Sequence, residues 1–87
     1  MNIVYTDTFR KHFSKRIKPH HNLNVKFSER VNFFIISPNN PILKDHPLRG
    51  RHQELRAFSI TGDIRVVYFI KDNITYFADI GTHNQVY

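Results

Sequence analysis

At 87 residues the chain has room for one small domain, and domains of that size bury only about 60–65% of the surface their unfolded chain exposes. Thirteen Lys and Arg against seven Asp and Glu leave a net charge of +6 before six histidines are counted, which points to a polyanionic partner such as nucleic acid, the ribosome or an acidic protein segment. A hydrophobic content of 40% excludes intrinsic disorder, the lack of cysteine excludes disulfides and thiolate metal sites, and no apolar run reaches the roughly 18 residues of a membrane span.

NIVYT, residues 2–6, reads as a short β-branched first strand. No apolar leader precedes it, so a cytoplasmic location is expected. Thr6 or Asp7 can cap the helix that follows, in which Phe9, Phe13 and Ile17 recur every four residues until Pro19 stops it. NLNVKFSERVNFFII predicts a second helix with Leu23, Phe27, Val31, Phe34 and Ile35 as its apolar stripe, and the prolines of SPNNP end it. The second half changes period. ELRAFSI (54–60), IRVVYFI (64–70) and ITYFADI (74–80) are strands rich in β-branched and aromatic residues. Thr61-Gly62-Asp63 and Lys71-Asp72-Asn73 have the composition and length of hairpin connections. The order β-α-α-β-β-β over 1–87 predicts an α+β fold: an antiparallel meander joined by the first strand, with two helices packed on one face.

Strand alternation assigns the faces. It puts Ile74, Tyr76, Ala78 and Ile80 toward the helices and Thr75, Phe77 and Asp79 away from them. With Arg65 toward solvent, Val67 and Phe69 lie beside it on the face opposite the helices. Arg65, Phe69 and Phe77 then form an open surface, basic and partly aromatic, suited to base stacking and phosphate. The other reading makes Val67 and Phe69 a second small cluster beneath the C-terminus.

Three segments carry polar residues that packing does not require. KDHPLRGRH (44–52) contains His46, which Pro47 biases toward an extended backbone, and the basic residues Arg49 and Arg51. GDIRVVY carries Asp63 and Arg65 at the head of the central strand, and DIGTHNQVY ends the chain with His83 and Tyr87. Strand pairing brings Arg65 near Asp79 and Gly81, and hence near the tail. Two imidazoles, a guanidinium and a phenol around one phosphate would make a nuclease site without metal. One imidazole can take the proton of a ribose 2′-hydroxyl while the other protonates the leaving 5′-oxygen, since an unperturbed pKa of about 6.5 suits both tasks. Arg65 would hold the phosphate and offset its developing charge. Spacing alone leaves open whether His46 and His83 act in this way or are idle surface residues. His20-His21 lacks a zinc-ligand spacing, and neither a metal nor another cofactor is called for.

Taken together, KDHPLRG, RAFSITGDIRVVYFI and DIGTHNQVY resemble the RelE/YafQ superfamily of bacterial type II toxin–antitoxin toxins, most closely its YafQ branch. The resemblance implies a ribosome-dependent mRNA interferase that cleaves the message in the decoding site through 2′-hydroxyl attack. It also implies a cognate antitoxin that neutralises the toxin, with operator DNA reached only through that antitoxin. By position, the DHPL histidine falls on His46, a candidate base or phosphate contact, and the aspartate before the central strand on Asp63. The strand-leading arginine falls on Arg65, the GTH histidine on His83 as general acid, and the following aromatic on Tyr87, for stacking or phosphate contact. Arg49, Arg51, Arg56, Phe69 and Phe77 are the expected RNA contacts. A histidine expected on the first meander strand is missing: Ser59 lies there, and Arg56 is the nearest basic residue. Ile64 replaces the aromatic expected after Asp63. The rival readings are a ParE-like toxin that inhibits DNA gyrase by binding, and a non-catalytic RNA-binding module. The clustered His and Arg count against the first.

Overall fold

The computed structural model describes residues 1–50 and 54–87. Thr6 starts the first helix: its hydroxyl accepts the Phe9 N–H at 3.2 Å and donates to the Phe77 carbonyl at 2.9 Å, capping α1 (Asp7–Arg16) and tying it to the sheet. Phe9 and Ile17 are buried from this segment, and Phe13 packs against them. In α2 (His21–Ile36) the seam is Phe27, Val31 and Phe34, with Leu23 and Phe33 partly buried beside it. Ile35, predicted within the stripe, is 43% exposed, because Phe34 and not its neighbour continues the i, i+4, i+7 step.

The predicted meander is present as β3 (Arg56–Ser59), β4 (Ile64–Lys71) and β5 (Ile74–Thr82). The β4–β5 connection has Asp72 and Asn73 at φ 53 and 64, the two left-handed residues that a tight twisted hairpin needs. The first strand, β1 (Asn2–Tyr5), joins parallel to β5, so the sheet is mixed rather than wholly antiparallel. A two-residue strand, β2 (His46–Pro47), adds the far edge and gives the order β1-β5-β4-β3-β2. One helical turn, α3 (His83–Val86), follows β5. Neither β2 nor α3 is long enough to show a period in the sequence.

A β-bulge corrects the predicted faces of the last strand. Val67 pairs with Asp79 and Tyr68 with Phe77, so Ala78 is the extra residue and the alternation of β5 inverts across it. Ile80 still faces the helices, but so does Phe77, which is 0% exposed and contacts the rings of Phe9, Phe34 and Phe58. Phe77 is therefore a core residue and not part of the open surface. Tyr76 takes its place there, stacked on Phe69 with centroids 5.0 Å apart. Val67 is buried outside the helix-side cluster, as is Ala57, its partner across the strands, whereas Phe69 is only half-buried. Among the described residues no helix is long and apolar enough to cross a membrane.

Candidate active site

Lys44 adopts a left-handed conformation (φ 49) that turns the chain into β2, where His46 pairs with Ala57. The His46 Nδ1–H donates to the Lys44 carbonyl at 2.9 Å. A carbonyl only accepts, so Nδ1 carries a proton, and in the neutral form of the ring the lone pair is then on Nε2, which faces the groove. Nε2 lies 3.1 Å from the Tyr87 hydroxyl, which donates to it when the ring is neutral. Burial pushes the Tyr87 phenol above its ordinary pKa, with the nearby Arg65 charge partly opposing, so the phenol keeps its proton at neutral pH.

The tail reaches His46 because β5 ends in a tight helical turn. Gln85 Oε1 accepts the Thr82 N–H at 2.8 Å and folds α3 back on the strand end. Gly81 permits this approach: a Cβ there would stand 2.6 Å from Gln85 Oε1 and 2.7 Å from Arg16 Nη1. One turn of helix aligns residues i and i+4, which sets the His83 ring against Tyr87 at 4.3 Å in an edge-to-face contact. Tyr87 thus meets both imidazoles, the His46 ring lying 6.3 Å away and also edge-to-face. Arg49, Leu48, Leu55 and Val86 help line the resulting groove of about 410 Å³.

Arg65 stands on β4, opposite Ser59 and Gly81, near enough for its charge to act on Tyr87 but not among the residues that line the groove. Its Nη1 donates long hydrogen bonds to the Gly62 and Asp63 carbonyls, at 3.4 and 3.5 Å, and its buried Nε has no hydrogen-bond partner among the described residues. A half-buried guanidinium so weakly engaged has donor capacity for an anion. Asp63 is exposed in the β3–β4 turn and does not line the groove. Phe69 lies farther along the open face, and Arg51, like His52, falls outside the described residues. Arg56 is corrected: it pairs with Tyr68 across the strands, on the helix-packed face, and its guanidinium is held by Asp45 at 2.7 Å. The register puts it on the opposite side from Ala57 and His46 because successive strand residues alternate.

Sequence reasoning missed three features. Asp45 binds both Arg56 and the Tyr68 hydroxyl; burial, then this hydrogen bond, push the Tyr68 phenol well above its ordinary pKa. Asp45's adjacency to His46 was its only signal. His12 Nδ1 lies 2.6 Å from Asp79 Oδ1, and Arg16 donates to the Ile80 carbonyl at 2.9 Å; these pairs, more than sixty residues apart, had no signal. Tyr76 was hidden by the bulge. No group of three or more candidate metal ligands occurs among the described residues.

Two helices on one face of a five-stranded mixed sheet, with a His, Tyr and Arg groove at the end of the last strand, define the RelE-like class of small bacterial toxins. The family model described as bacterial toxin of type II toxin–antitoxin system, YafQ, matches residues 1–87, and the chain belongs to that family. Its structure is similar to crystalline YafQ from E. coli strain BL21(DE3), at 25% identity and TM-score 0.82, covering 99% of this chain and 97% of that one. The toxin in the E. coli DinJ–YafQ complex matches at 26% identity and TM-score 0.81, covering 99% and 97%. A metal-bound toxin from Helicobacter pylori matches at 26% identity and TM-score 0.78, covering 100% and 99%. No curated protein matches the chain.

Proposed function

We propose that this type II toxin is a ribosome-dependent mRNA interferase. The observation that carries the reading is the pair of imidazoles in contact with Tyr87, one of them tied through Nδ1 to a backbone carbonyl so that its Nε2 faces the Tyr87 hydroxyl in the groove. On binding RNA, a ribose 2′-hydroxyl takes the place of the Tyr87 hydroxyl at His46 Nε2. His46 accepts its proton, the 2′-oxygen attacks the adjacent phosphorus, and the bond to the 5′-oxygen breaks. His83 supplies the proton to that leaving oxygen, giving a 2′,3′-cyclic phosphate and a free 5′-hydroxyl. Arg65 holds the phosphate oxygens, and Tyr87, once displaced, stacks on a base. Arg49 contacts the RNA backbone, while Phe69 with Tyr76 offers a stacking surface farther along the sheet. Asp63 acts from outside the groove, and no step needs a cofactor.

The net charge of +6 favours the ribosome with its bound message as the working partner, and an acidic cognate antitoxin as the neutralising one. Operator DNA is reached through that antitoxin. The DinJ–YafQ assembly of the E. coli relative supports the antitoxin half of this reading. A reconstituted translation reaction tests the function, with message ends mapped for wild type and His83→Ala, with and without ribosomes. Wild type is expected to cut only ribosome-bound message. His83→Ala should lose on the order of a hundredfold or more in rate while still binding ribosomes. Intact messages with wild-type protein would refute the nuclease reading, and equal cleavage of free RNA would refute ribosome dependence.

A further inference from the structure

The residue preceding His46 is fastened through both oxygens of its carboxylate. Asp45 Oδ1 accepts the Arg56 Nε–H at 2.7 Å and lies 2.7 Å from Nη2, while Oδ2 accepts the Tyr68 hydroxyl. Its side chain is only 12% exposed. Tyr68 is itself immobilised, its ring packed edge-on against Phe34 in the core. The carboxylate is thereby bolted to β3 and β4 on the helix-packed side. Strand alternation then projects residue 46 to the opposite face, toward Tyr87.

β2 has only two residues to hold its own register, at His46 and Pro47. The left-handed backbone at Lys44 is a conformation that persists in an L-residue only when its surroundings impose it. Asp45 is the next residue and the one side chain of the turn anchored on both carboxylate oxygens. The same turn presents the Lys44 carbonyl that takes the His46 Nδ1 proton. Loss of the anchor would free the turn, the carbonyl and the ring together.

We propose that Asp45 is the positioning residue for His46: by clamping Arg56 and Tyr68 it holds the Lys44 turn, and so keeps the imidazole as the Nδ1–H tautomer with Nε2 aimed into the groove. The assignment rests on the nuclease reading for its consequence, but the tautomer can be measured without any activity. Long-range proton–nitrogen NMR correlations of His46, recorded where the ring is neutral, should show a single Nδ1–H form in wild type. In Asp45→Asn both tautomers should appear. Single-turnover cleavage on ribosomes should then fall on the order of tenfold, with the half-saturating ribosome concentration unchanged. Tyr68→Phe removes one contact of the clamp and should shift the tautomer mixture part of the way. If Asp45→Asn does not fold, this second variant decides the matter by the same spectrum. An unchanged Nδ1–H ring in the folded variants would overturn the proposal. A tautomer shift in a protein that cuts no message would uphold the clamp while sinking the nuclease reading.

Discussion

Gly81 is the residue on which the tail depends. Its missing side chain lets Arg16 and Gln85 close over the end of β5, and that closure delivers α3 with His83 and Tyr87 to His46. A methyl group would meet side-chain atoms at 2.6 and 2.7 Å, closer than real Cβ contacts, so Gln85 or Arg16 must give way. Both atoms end flexible side chains that can swing aside. Gly81→Ala is therefore expected to cost about 0.5–1.5 kcal/mol, chiefly through the Gln85–Thr82 or Arg16–Ile80 hydrogen bond given up, read as a lower denaturation midpoint. It should also disturb the His83 and Tyr87 resonances. A variant of wild-type stability with an unmoved tail spectrum would contradict this role for Gly81. The other polar residues divide by what holds them: His46 has its ring fixed by a backbone carbonyl, whereas Asp63 stands in solvent at a turn.

At the level of elements, the bulge at Ala78 decides what β5 offers to each side. It turns Phe77 inward, where the ring meets Phe9, Phe34 and Phe58 and stacks at 5.5 Å on Tyr5 of β1. One residue so joins both helices to three strands. Phe77→Ala should lose about 3–5 kcal/mol, a large fraction of the stability of so small a domain. Equilibrium urea unfolding measures it, and a loss below about 1 kcal/mol would return Phe77 to the surface. Parity reasoning reads Ile80 correctly and Phe77 incorrectly for one cause. Alternation is a local rule, and an inserted residue resets it without changing composition. The helices were legible because their seams repeat at Phe9 and Phe13 and at Phe27, Val31 and Phe34, and because Thr6 and Pro19 mark the limits of the first.

For the whole molecule, Tyr68 links the core to the edge that carries His46, and its ionisation should limit stability in alkali. Burial and the hydrogen bond to Asp45 raise its pKa in the folded state above the unfolded value of about 10. Below that value both states are protonated and the stabilisation is complete. As pH rises past about 10 the unfolded chain releases the proton first, so folding is progressively disfavoured. The melting temperature should fall from pH 9 to 11, and Tyr68→Phe should show a shallower slope over the same window. Parallel slopes would contradict the account. Tyr5 and Tyr87, also raised by burial, leave a residual slope in that variant.

Composition, turn residues and periodicity by themselves determined a basic α+β chain, its helix limits, its meander and the three segments that hold His46, Arg65, His83 and Tyr87. Those signals are local, because a repeat, a cap or a turn acts within a few residues. Only the tertiary structure decided that β1 runs parallel to β5, that Phe77 is core and Tyr76 surface, and that Arg56 serves Asp45 rather than the open face. The His46–Tyr87 contact, 41 residues apart in sequence, also belongs to that second group. Such outcomes depend on which strand lies beside which and on where a single extra residue is placed, and pairing energies between distant residues leave no local pattern to read.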